Sequence, residues 1–241
     1  LLHEYMKVQL SWSLVFYSLA ALFIGLSLYH RYVLPKPDTD IEHNQLSASE
    51  LFNEFIGTFA SFFRKKEVLI AIAFMLLFRL PEALLNTVGP LFLRATADKG
   101  GLNLSLETFG VINGIVGVVG LLLGGILGGM VASKDGLKKW LWPMTFAITL
   151  PNIAYVYLGF VMPSSPFSIG AAIFVENFGY GFGFSAYMLF MLYFSQGEHK
   201  TSHYALCTGF MALSMMLPGL FAGALAEAVG YSLFFVLVMV A

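Results

Sequence analysis

Six runs of apolar residues, each long enough to cross a lipid bilayer, dominate this 241-residue sequence. They fall near 10–34, 68–93, 106–132, 141–162, 167–195 and 203–228. A transmembrane helix needs about 20 mainly apolar residues at a rise of about 1.5 Å each, and every run meets that length. Composition agrees: 58% of residues are hydrophobic and 11% charged, against roughly 25% charged in a soluble domain. The pattern predicts an all-α integral membrane protein. A seventh apolar run starts at Tyr231 and reaches Ala241 after eleven residues, too few to cross. The sequence opens without methionine on LLHEYMKVQLSW, which reads as a polar lead-in to a helix and not as a cleavable signal. Both ends are those expected of a fragment of a longer protein whose N-terminal part is unseen.

The single cysteine, Cys207, sits in an apolar run, so a disulfide framework or paired-cysteine metal knuckle within the chain is excluded. A net charge of −1 gives no reason to expect a nucleic-acid partner. If each helix crosses once, Arg31, Lys36, Arg64, Lys65, Lys66, Lys134, Lys138, Lys139 and Lys200 lie on one side, and Lys7, Arg94 and Lys99 on the other. The positive-inside rule puts the first group in the cytoplasm, in a multi-pass protein of the cell membrane.

The longest connection, 35–66, opens on the polar run PKPDTDIEHNQ and continues with a capping box from Ser47 to Glu50. Leu51, Phe52, Phe55, Ile56, Phe59, Phe62 and Phe63 then share one helical face, ahead of Arg64, Lys65 and Lys66. This predicts an amphipathic helix at the cytoplasmic interface. Three parts follow: residues 1–34 as the last helix of a missing N-terminal bundle, 35–66 as a cytoplasmic linker, and 67–241 as a six-helix bundle with its last helix cut. The order fits the second half of a transporter built as six plus six helices.

Arg79 and Glu82 stand three residues apart in the middle of the second run, with Pro81 between them. An ionised side chain at that depth costs roughly 2.5 to 3.5 kcal/mol, so such groups pair or face water. Pro81 removes a backbone donor, which predicts a kink, and Asn86, Thr87, Gly89 and Pro90 extend the irregular character. Irregular helices at membrane depth are tolerated where they line a cavity. There the arginine would hold an anionic group and the carboxylate would exchange a proton; a structural ion pair is the alternative. In the fifth run Glu176, Tyr180, Gly183 and Tyr187 are expected on one side, with Gly179 close and Asn177 at the margin. A carboxylate with tyrosines suits a polar, sugar-bearing solute; the alternative is glycine packing with Glu176 bonded to a neighbouring helix. GYGFG is not a dinucleotide fingerprint, because no strand precedes it. Gly110, Gly114, Gly117, Gly124, Gly125 and Gly128 predict a packing seam along the third run. Glu198, His199, Lys200 and His203 read as solvated residues of a cytoplasmic turn, and Glu227 as interfacial. His203 has no partners at metal-ligand spacing, and no metal site is expected.

Beyond the third run, GGMVASKDGLKKWL is similar to the loop signature of the major facilitator superfamily through Gly129, Lys134, Gly136, Lys138 and Lys139, with Ser133 in place of its aspartate and Leu137 in place of an arginine. FRLPEALLN resembles the paired-charge motif in the seventh helix of the AmpG-type muropeptide permeases and their acetyl-CoA-transporter-like relatives, a branch of that superfamily. ENFGYGFGFSAYMLFMLYFS resembles their tenth helix, and SHYALCTGFMALSMMLPGLFAGALAEAVGYSLFF their eleventh and the turn into the twelfth. The resemblance covers 68–241. It implies one half of a major-facilitator-type helix bundle plus the preceding helix, in a proton-driven importer of anhydro-muropeptides or a related saccharide. It needs no cofactor beyond the proton gradient. Its partners are the solute, protons, the lipid bilayer and the missing N-terminal half of the same chain. It implies Glu82 and Glu176 for proton coupling, Arg79, Asn86, Asn177, Tyr180 and Tyr187 for substrate binding, and Gly129, Lys134, Gly136, Lys138 and Lys139 as a gating loop. Tyr180 replaces the family's usual glycine. An intramembrane transferase acting on lipid-linked sugar would need a nucleophile or base with an orienting partner, and only scattered serines, His203 and Glu176 are available. A transporter-derived membrane sensor fits the same residues.

Overall fold

The computed structural model describes residues 2–35 and 47–241; most of the polar run of the long connection, 36–46 with Lys36, lies outside them. Among the described residues every regular element is helical. Five helices are long and apolar enough to span a membrane: Lys7–Val33, Val68–Arg94, Leu106–Asp135, Leu137–Val161 and Lys200–Val229. Pro166–Phe194, at 29 residues, is equally long, but Glu176, Asn177 and its glycines and tyrosines dilute its apolar run. The observed ends lie within four residues of those expected from the sequence.

The chain divides into two compact units, Leu1–Leu51 and Phe52–Ala241. The first is mainly the 32-residue helix α1 (Leu2–Val33). The start of α2 (Ala48–Phe63) shows the expected capping box: Glu50 accepts from the Ser47 amide and hydroxyl at 2.8 Å, and Ser47 Oγ accepts from the Glu50 amide at 3.3 Å.

In the second unit, α3 (Val68–Leu77) and α4 (Leu80–Arg94) form one span broken at Phe78 and Arg79. The cause is local: Pro81 has no N–H and cannot continue the ladder of the preceding turn. A short 3₁₀ turn, Ala97–Lys99, leads to the next span. That span comprises α5 (Leu106–Phe109), a π-helical stretch at Gly110–Val116 and α6 (Gly117–Asp135). Then α7 (Leu137–Thr149) and α8 (Ile153–Val161) form a span interrupted by a 3₁₀ turn around Pro151. The unit closes with α9 (Pro166–Phe194), α10 (Lys200–Val229) and α11 (Tyr231–Val240).

Helix α9 is central, with α6 on one side and α7 on the other, because both contacts are built from small residues. A Cβ at Gly124 would collide with the Phe178 carbonyl, one at Gly181 with the Leu121 carbonyl, and one at Gly179 with the Ala147 carbonyl. Ser185 adds a hydroxyl donated to the Gly125 carbonyl at 3.2 Å. Close backbone approach replaces the hydrophobic drive that helices lack among lipid tails. The seam differs from its sequence outline: Gly117, Gly124, Gly125 and Gly128 meet α9, joined by Gly120, whereas Gly110 and Gly114 have no neighbour within 4 Å. The π-helical stretch is the reason, since its wider turn puts these two out of phase with the seam below.

The end of α2 belongs to this bundle. Phe62 is fully buried with Met75, Tyr187, Met191 and Cys207. Ser61 Oγ lies 2.9 Å from His203 Nε2, and Lys65 Nζ donates to the carbonyls of Phe194 at 2.6 Å and Gln196 at 2.7 Å, closing the C-terminus of α9. Partial burial lowers the Lys65 ammonium from the ordinary lysine range. His203 is therefore a buried residue and not the solvated one expected from its turn. Phe52, Phe55, Ile56, Phe59 and Phe63 remain exposed along α2, while Phe62 leaves the expected common face for the core.

Candidate functional site

The break before α4 turns Arg79 and Glu82 in different directions. Both are buried, yet the ion pairs among the described residues are Lys66–Glu67 and Lys139–Asp135, so the structural ion pair kept as the alternative for Arg79 and Glu82 does not form. Arg79 reaches α9 instead. Its Nη2 donates to the Tyr180 hydroxyl, and its guanidinium carbon lies 4.8 Å from the centre of the Phe184 ring, 5.7 Å from Tyr180 and 5.8 Å from Tyr187. Aromatic faces suit a guanidinium because it is weakly hydrated and flat. Its Nε has no partner.

Glu82 turns along its own helix, where Asn86 Nδ2 donates to Oε1; Oε2 is buried without a partner. Across from it on α9, Glu176 is 4% exposed and accepts at Oε2 from Asn177 Nδ2 at 2.6 Å, and the same Asn177 nitrogen donates to the Ile173 carbonyl at 3.0 Å. Leu85, Asn86, Pro90, Asn113, Tyr155, Glu176 and Asn177 line a polar cavity of about 100 Å³ between α4, the π-helical stretch, α8 and α9. Gly89 makes room for the Tyr155 ring, since a Cβ there would stand 2.9 Å from the tyrosine oxygen.

The sequence-derived residues thus fall into groups. Arg79 and Tyr180 meet directly; Asn86, Glu176 and Asn177 share the cavity, with Glu82 behind Asn86. Tyr187 shares the aromatic surface under Arg79 but is fully buried, its hydroxyl donated to the Met75 carbonyl at 2.9 Å. Gly183 faces α7, against Met144 and Ile148. Lys134, Gly136, Lys138 and Lys139 are exposed around the α6–α7 turn, and Gly129 has no neighbour within 4 Å; none lines the cavity. In that turn a carboxylate is present two residues after Ser133: Asp135 accepts from Trp140 Nε1 at 3.0 Å and pairs with Lys139 at 3.2 Å. Asn113, Tyr155 and Phe184 were not singled out in the sequence. Asn113 was discoverable as the one polar residue in GVINGIV; Tyr155 and Phe184 were two aromatics among many. Asn152, buried with Nδ2 unpartnered, marks the α7–α8 break.

No protein-family model matches the chain. Curated relatives do. The chain is 26% identical over 234 residues to a Rickettsia prowazekii protein named as the transporter AmpG 2, covering 96% of this chain and 54% of the relative. It is 28% identical over 233 residues to a Rickettsia felis protein of the same name, covering 96% and 53%. It is 23% identical over 226 residues to the anhydromuropeptide permease of Escherichia coli K12, covering 94% and 44%. The chain spans about half the length of the curated relatives it matches. At 23–28% identity the chain is a distant homologue of AmpG-type permeases, and its kinship is with proteins named as transporters and not with enzymes.

Proposed function

We propose that this chain forms one half of a major-facilitator-type secondary transporter that imports a cell-wall-derived muropeptide or related saccharide by alternating access, driven by protons. In this reading residues 1–34 end one bundle, 35–66 link it to the next on the cytoplasmic side, and 67–241 supply the second half of the central cavity. The observation that carries it is that Arg79, Glu82 and Glu176 are buried on two facing spans, bonded to the half-buried Asn177 and Tyr180 and to the more exposed Asn86. Charges so deep in a membrane bundle are costly and mark solute or ion paths. Arg79, lying on aromatic faces with a free Nε, suits the carboxylate of a peptide-bearing sugar, and Tyr180 its hydroxyls. Glu82 and Glu176 are the proton carriers of this scheme, because each keeps an oxygen that no protein donor occupies. Tyr187 supports the α3–α9 contact and the basic α6–α7 turn acts as the gating loop.

The test is uptake of labelled anhydro-muropeptide into energised vesicles carrying the full-length protein, for wild type and Glu82→Gln, with and without a protonophore. Uptake that collapses on uncoupling and in the variant supports proton symport through Glu82. Normal, uncoupler-sensitive uptake in the variant moves the proton to Glu176 or to residues outside this chain, and no wild-type uptake rejects the substrate.

A further inference from the structure

As lined by this chain the cavity holds about 100 Å³, well below the roughly 300–1,000 Å³ of pockets for organic ligands. It has room for an ion with one or two waters at ~30 Å³ each. Its lining is also rich in oxygen acceptors. Asn86 gives one Nδ2 hydrogen to Glu82, and Asn177 gives its Nδ2 hydrogens to Glu176 and the Ile173 carbonyl. Both carboxamides are thereby oriented with the oxygen left over, and Glu176 keeps Oε1. Pro90, itself in the cavity wall, has no N–H to give to the Asn86 carbonyl one turn before it. The Asn113 carboxamide and the Tyr155 hydroxyl complete the ring. The lining thus offers several oxygens that accept from no protein donor, with one carboxylate among the lining residues.

We propose that this cavity is a binding site for a sodium-sized monovalent cation, coordinated by Asn86, Asn113, Glu176, Asn177 and Tyr155. All-oxygen ligands are the choice of hard cations. A single lining carboxylate matches one positive charge, whereas calcium sites gather several carboxylates. The π-helical stretch has a specific part here, since it carries Asn113 into the ring. The site does not depend on the transport reading, because occupancy is read without a solute.

The experiment is thermal denaturation of the purified full-length protein in about 100 mM NaCl against choline chloride of equal ionic strength, for wild type, Glu176→Gln and Asn113→Leu, with Lys200→Gln as a control on the surface. The expected result is a sodium-specific rise in Tm of ~2–4 °C in wild type and control, absent from both cavity variants. Should either variant fail to fold, Asn177→Ala takes its place. Equal Tm values in the two salts for wild type, or a sodium rise that survives in the cavity variants, overturns the proposal.

Discussion

At the residue scale, the central fact is that Arg79 and Glu82 are neighbours in sequence but face different partners. The run FRLPEALLN showed two charges at membrane depth on one span, a shared helical face, and a kink at Pro81. What it could not show was the partner each charge finds once that kink ends the α3 register before the second charge is placed. The consequence is testable at Tyr180. Replacing it with phenylalanine keeps the ring face for Arg79 but removes the acceptor of a buried Nη2; the expected loss is about 1–3 kcal/mol of stability, read as a lower Tm. Tyr187→Phe removes an ordinary bond to a backbone carbonyl and should cost about 0.5–1.5 kcal/mol with little change in solute binding. If Tyr187→Phe abolishes binding at unchanged Tm, the purely structural role given to the Tyr187 hydroxyl is wrong.

At the element scale, the spans were legible because hydrocarbon demands long apolar runs, and their ends because charges cluster at the interfaces. Phases within the spans were less legible. Six glycines suggested one stripe, but a π-helical stretch shifts Gly110 and Gly114 out of it. Gly124→Ala must push α6 from α9, with an expected loss of about 1–3 kcal/mol, whereas Gly114→Ala meets nothing and should be neutral or stabilising by up to about 1 kcal/mol. Equal effects on Tm would refute the assignment. The entry to α2 gives a pH prediction. The Ser47 backbone and hydroxyl bonds lower Glu50 from its ordinary value of 4.5. A depressed folded pKa means the contribution is present above the ordinary value and lost as pH falls through the lowered one. Hydrogen exchange at the Ser47 and Glu50 amides should lose protection over that acidic window in wild type, and show no such step in Glu50→Ala.

At the scale of the whole molecule, the asymmetry of lysine and arginine predicts which ends of the spans face the cytoplasm. Cys207 is buried, so it offers little background for thiol labelling. With an impermeant maleimide on intact cells, Asp98→Cys should label at once and Lys138→Cys only after permeabilisation; the reverse pattern would invert the orientation. The linker illustrates what sequence alone could not settle. Its amphipathic rhythm was plain, but that Phe62 turns inward and that Ser61 and Lys65 bind His203 and the end of α9 depends on residues more than a hundred positions away. The polar cavity was hidden for the same reason, being assembled from four separate elements.

The π-helical stretch has one more meaning. A π-bulge holds roughly one residue more than an α-helix needs to cover the same axial distance, so Gly110–Val116 is a place where the chain is over-long by a residue. Shortening it by deleting Gly114 should be accommodated as a regular α turn, with everything from Gly117 onward keeping its register against α9. The protein would keep its bundle while rotating Asn113 out of the wall it shares with Glu176. A surplus residue in a membrane helix is in this sense a detachable part: it separates what the span needs to fold from what it needs to hold an ion.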